Sequence, residues 1–119
     1  MRGLMKGTEE KLIDIIVEAA QDKKASDIKV LKLGNVSRIA DFLVICSGDS
    51  SVQLRAIVAE VERRLLENNF KGISWEGTPA SGWLILDAGN IVVHVMRPEQ
   101  REYYNLEDLW GNNAVVYHC

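Results

Sequence analysis

The chain has no surplus of basic residues: 17 acids outnumber 14 lysines and arginines, a formal net charge of -3 over 119 residues. A protein that grips phosphates by displacing counterions needs a cationic surface, so sequence-specific nucleic-acid binding is not expected, and a basic protein partner suits the charge better. Cysteine is scarce. Cys46 and Cys119 lie far apart and form no CxxC pair. Cys46 falls in the apolar run Phe42-Leu43-Val44-Ile45-Cys46, where a buried reduced thiol is expected. No apolar stretch is long enough to span a membrane. The lead Met1–Gly7 is too short and interrupted for a signal-peptide core and lacks the arginine-rich pattern of a transit peptide. A cytoplasmic, bacterial protein is the expectation. Repeats and linkers are absent, and the length permits one core, so residues 1–119 read as a single domain.

Catalytic groupings are missing too. His94, His118 and the terminal Cys119 are too scattered to make a ligand cluster, so neither a metal nor another cofactor is expected. There is no GxSxG, and the order of Ser47, Asp87 and His94 fits no nucleophile elbow. His94 reads as a hydrogen-bonded strand residue. The turn Ser47-Gly48-Asp49-Ser50 lies between an apolar strand and a helix start, and its amides suit an anion. Capping by Ser50 explains the same residue types. Nucleotidyltransferases open a helix in a similar way, but they need two convergent metal-bridging carboxylates. The one acidic-apolar-acidic triplet downstream, Glu60-Val61-Glu62, lies inside a helix, where residues two apart point about 200° from each other. That enzymatic reading lacks its metal site.

What is present has clear periodicity. Thr8 can cap a first helix with Glu9 and Glu10 in its opening turn and Lys23 and Lys24 in its last; Leu12, Ile15, Ile16, Ala19 and Ala20 form its stripe. Ile28–Leu33 reads as a strand with a phase slip between Val30 and Leu31. Residues 42–46, apolar throughout, read as a strand covered on both faces. Ser50 and Gln53 form a capping box for a long helix buried through Leu54, Ile57, Val58, Val61 and Leu65, ending near Asn68-Asn69. A short strand holds Ile73 and Trp75, residues 77–82 form a loop, and Trp83–Asp87 pairs with Ile91–Met96 across a tight Ala88-Gly89-Asn90 connection. Pro98 starts a short helix through Tyr104, and Leu106–Trp110 adds one more turn. The order predicts an α+β fold, helices packed on one mixed sheet.

Aromatic residues make up 7% of the chain, yet Trp83, Tyr103, Tyr104, Trp110 and Tyr117 crowd into the last third. Tyr103 and Tyr104 cannot both face inward on one helix. Rigid rings grouped with Asp87, Arg97 and Arg101 have the composition of a protein-binding patch, although some must be core.

The string Asp41-Phe42-x-Val44-Ile45-x-Ser47-Gly48-x-Ser50-x-x-Gln53-x-x-Ala56-Ile57 resembles the opening signature of the Iojap/ribosomal silencing factor family. Glu76-Gly77, Trp83-Leu84-Ile85-Leu86-Asp87-x-Gly89, Val92-Val93-His94-Val95-Met96 and Arg101-x-x-Tyr104-x-Leu106-Glu107-x-Leu109-Trp110 follow in family order. The resemblance marks 8–110 as the core and leaves 1–7 and 111–119 as tails. It implies a nucleotidyltransferase-like fold without catalytic carboxylates, and hence no enzyme. It further implies a translation repressor that binds ribosomal protein L-fourteen of the large ribosomal subunit, sterically blocks the small subunit, and forms a homodimer when free. Carried over by position, the partner surface comprises Trp83, Leu84, Asp87, Met96, Arg101, Tyr103 and Tyr104, with Met96 standing where the family commonly has an aromatic. The alternatives are a nucleotide-binding enzyme acting through the Ser47-Gly48 turn, and a scaffold for another partner using the same aromatic patch.

Overall fold

A computed structural model describes residues 8–33, 40–109 and 114–119. Helix α1 spans Thr8–Asp22, and strand β1 spans Ser26–Lys32. Strand β2 is Phe42–Ser47, buried at every position, which is why its sequence shows no alternation. Helix α2 runs Ser51–Glu67 and buries the five stripe residues Leu54, Ile57, Val58, Val61 and Leu65. Then follow β3, Ser74–Thr78; a 3-10 turn at Pro79–Ser81; β4, Trp83–Ala88; and β5, Ile91–Met96. Helix α3, Pro98–Tyr104, a 3-10 turn at Leu106–Leu109 and β6, Val115–His118, close the described chain. Trp110 lies outside the described residues.

The strands form one mixed sheet in the order β3-β4-β5-β2-β1-β6. β2 and β5 are parallel; every other neighbouring pair is antiparallel. α1 and α2 cover one face, where Ile13, Ile16, Val30, Val44, Leu84, Leu86, Val93 and Val95 pack with the α2 stripe. A side chain of this size is worth about 1.5–3 kcal/mol when fully buried, so this layer dominates the stability. The opposite face has a smaller cluster of Leu31, Leu33, Leu43 and Ile45, partly roofed by Leu106 and Ala114. Among the described residues that roof covers the β1–β2 half and reaches Val92 of β5, and it leaves most of the β3–β4–β5 half open. This asymmetry creates the candidate site.

Several local expectations are corrected. Lys23 and Lys24 lie past the end of α1, whose last turn has no basic residue, and its buried stripe also takes in Ile13 and Val17. Ser50 caps α2 by accepting from Gln53 N at 3.1 Å. The reciprocal bond is displaced by one residue, since Gln53 Oε1 accepts from Asp49 N at 2.6 Å. Gln53 Nε2 then donates to the carbonyls of Lys23 and Lys24, tying the two helices together. The expected phase slip in β1 is not a break in the strand: Lys29–Lys32 run in unbroken register with β2. Ile28 and Val30 face one cluster and Leu31 and Leu33 the other, and the shift against β6 skips Val116 on that strand. The segment read as a C-terminal tail holds β6, an edge strand pairing Lys29 with His118 and Val30 with Tyr117.

Candidate partner-binding face

Register decides which residues share the open face. Trp83 pairs with Met96, Ile85 with His94, and Asp87 with Val92, while Thr78, Glu76 and Ser74 stand opposite Trp83, Ile85 and Asp87. Directly opposed strand residues point to the same side and consecutive ones to opposite sides. The open face therefore carries Thr78, Glu76, Trp83, Ile85, Asp87, Val92 and His94. Trp83, Ile85, Val92 and His94 are half-buried, while Glu76 and Asp87 are exposed. Glu76, Ile85, Val92 and His94 were not among the expected contacts. The period-2 step from Trp83 leads to Ile85, and pairing across the hairpin adds the rest.

The rings are held in a defined arrangement. Trp83 Nε1 donates to His94 Nδ1 at 2.9 Å, which requires the neutral His94 tautomer with its proton on Nε2. Burial pushes the His94 pKa down to about 4, so it stays an acceptor at neutral pH. Tyr104 packs on Trp83 with ring centroids 4.8 Å apart, and Tyr103 meets Tyr104 edge-on at 4.9 Å. Such tilted and edge-on pairs suit the ring quadrupoles. Tyr103 is 80% exposed and Tyr104 49%. The result is an aromatic ledge at one corner of the open face, with two exposed carboxylates alongside; Asp87 Oδ1 accepts from Gly89 N at 3.0 Å.

Three expected contact residues are not on this surface. Leu84 is wholly buried because it follows Trp83 on a strand and faces the helices. Met96 shares the side of Trp83 but is fully covered. Arg101 is 5% exposed, its guanidinium turned inward to Ser47 Oγ, the Asp27 carbonyl and Glu107. The structure thus brings together Trp83, Tyr104 and Tyr103, sets Asp87 on the same face at the far end of β4, and places Leu84, Met96 and Arg101 beneath. Trp75, 46% exposed, pairs with Leu86 and lies on the helix side.

The Ser47-Gly48 turn resolves in favour of capping. Gly48 N donates to Met96 O at 3.1 Å, and the Asp49 amide is taken by Gln53, which leaves these donors unavailable to an anion. Ser47 is buried against Arg101, and His94 Nδ1 is committed to Trp83, so Ser47, Asp87 and His94 form no relay. Glu60 turns to Arg63 and Arg64. Among the described residues no group of three or more His, Cys, Asp or Glu is placed to hold a metal.

A profile of the family described as "Ribosomal silencing factor during starvation" matches residues 6–118, through β6 and beyond the expected 8–110 span. The ribosomal silencing factor RsfS of Halalkalibacterium halodurans is 38% identical over 107 residues, 90% of this chain and 92% of that protein. The protein of the same name from Bacillus subtilis is 38% identical over 104 residues, 87% of this chain and 88% of that one. A crystal structure of a Chromobacterium violaceum protein superposes with a TM-score of 0.84 at 33% identity, covering 88% of each chain. Profile, relatives and fold agree: the chain belongs to the ribosomal silencing factor family.

Proposed function

We propose that this chain binds the large ribosomal subunit through ribosomal protein L-fourteen, and that its bulk on the joining face then keeps the small subunit away and represses translation. The observation that carries this reading is the exposed ledge in which Tyr104 and Tyr103 of α3 stand against Trp83 of β4. Interface hot spots are enriched in Trp and Tyr, and the neighbouring Glu76 and Asp87 complement a basic ribosomal protein. Membership of a family of silencing factors, which is not an enzyme class, supports the same direction. The protein acts by occupancy, without catalysis or cofactor, in the cytoplasm of a bacterium. Free of ribosomes it forms a homodimer, as the family resemblance implies, and sedimentation velocity over a concentration series tests that.

Co-sedimentation with purified ribosomal subunits is the direct test. The protein should pellet with large subunits and stay in the supernatant with small ones. Equal recovery with both, or with neither, would remove the proposal. The rival nucleotide-binding enzyme is tested by incubation with Mg²⁺ and nucleoside triphosphates, where no transfer or hydrolysis above buffer is expected. Turnover abolished by Ser47→Ala or Asp49→Ala would revive it.

A further inference from the structure

Helix α3 is attached to the sheet in an uncommon way. A surface helix normally docks through an apolar stripe, but the buried residue of α3 is Arg101, while Tyr103 projects outward and Tyr104 is half-exposed against Trp83. Tyr104 packs on Trp83 and Gln100 Nε2 donates to the Ser81 carbonyl at 3.2 Å, while the Arg101 guanidinium makes the buried part of the attachment. Nη1 donates to the Asp27 carbonyl at 2.6 Å and to Ser47 Oγ at 3.0 Å. Nε and Nη2 donate to Glu107 Oε1 at 3.0 and 2.7 Å, and Nη2 lies 3.5 Å from Asp27 Oδ2. One side chain thereby joins β1, β2 and the turn that follows α3. A polar hollow of about 370 Å³ adjoins it, but the Arg101 donors are already matched to protein acceptors, so the arrangement is a clamp.

We propose that Arg101 is a positioning residue, whose buried fork fixes α3 so that Tyr103 and Tyr104 stand beside Trp83, and that it touches no partner itself. This rests on the reading that the Trp83–Tyr104 ledge binds the large subunit. Lysine cannot replace it, because a point-charge ammonium cannot span Glu107, Asp27 and Ser47 as a planar fork does.

Two measurements on Arg101→Gln, Arg101→Lys and Glu107→Gln test the clamp: hydrogen exchange of the free protein, and co-sedimentation with large subunits. Amides of residues 99–109 should lose protection on the order of tenfold or more in the Arg101 variants and less in Glu107→Gln, while β2 and β5 keep theirs. Subunit affinity should fall on the order of tenfold or more with Arg101→Gln and Arg101→Lys. Tyr104→Ala should weaken the parent but add little to Arg101→Gln, because its ring is already displaced. Lost binding with α3 still protected would make Arg101 a direct contact and overturn the proposal. Additive losses, or a loosened α3 with unchanged binding, would overturn it as well. If the Arg101 variants unfold globally, Glu107→Gln decides: full protection of 99–109 with intact binding sinks the clamp. A parent protein that binds no subunits removes the functional reading alone, and the exchange pattern still decides whether Arg101 holds α3.

Discussion

Trp83 commits its single polar atom to His94 and leaves its ring half-exposed between His94 and Tyr104. Truncation therefore does more than clear a surface. Trp83→Ala leaves His94 Nδ1 without its donor and exposes the neighbouring rings, and should cost about 1–2 kcal/mol of stability. That is well below the 3–5 kcal/mol or so expected for a core Trp, so thermal melting should show a folded protein. Complete unfolding would assign the ring to the core. His94 also sets a pH dependence. An unfolded histidine protonates near its ordinary value of 6.5, whereas burial holds His94 unprotonated down to about 4. Between those values the unfolded chain binds the extra proton. The contribution is full above about pH 6.5 and is lost progressively as the pH falls towards 4, by at most roughly 3 kcal/mol. Urea unfolding across that range should show the decline, and His94→Gln should flatten it. An unchanged slope in that variant would assign the pH dependence to other groups.

At the scale of elements, the hairpin carrying Trp83 depends on a glycine in the strand beside it. Gly77 has φ +88, and a Cβ there would lie 2.3 Å from the Trp83 carbonyl oxygen. Gly77→Ala combines backbone strain with that clash and should destabilise by about 2–3 kcal/mol, measured by chemical denaturation. A neutral result would mean that β3 can move without cost. The elements differ in how far their sequences disclosed them. α2 was legible because its cap and five-residue stripe are local signals, and β2 because a wholly apolar run has few other uses. β6 was not, since Val115-Val116-Tyr117 is short and its pairing with β1 is a contact between distant parts of the chain. The exposure of the candidate face was legible only in part. Trp83, Asp87, Tyr103 and Tyr104 reach the surface, while alternation along β4 already argued against Leu84 beside Trp83. Nothing local announces that Arg101 points inward, because its acceptors at Asp27 and Ser47 come from other strands.

For the whole molecule, a thick apolar layer under two helices supports a half-sheet whose outer face, among the described residues, is covered only at its corner, where Tyr104 packs on Trp83, and beside Val92. The proposed role has this half-sheet bind a basic partner on the large subunit, with Trp83 as the anchor. Subunit joining, followed by light scattering as large and small subunits are mixed with and without the protein, tests this most directly. The parent protein, preincubated with large subunits, should suppress the rise in scattering. Trp83→Ala should lose about 2 kcal/mol or more of binding, some thirtyfold in affinity, and with it the suppression. Asp87→Lys, which reverses an exposed charge on the proposed binding face, should shift in the same direction. Joining suppressed equally by the parent and by a folded Trp83→Ala variant would contradict the account.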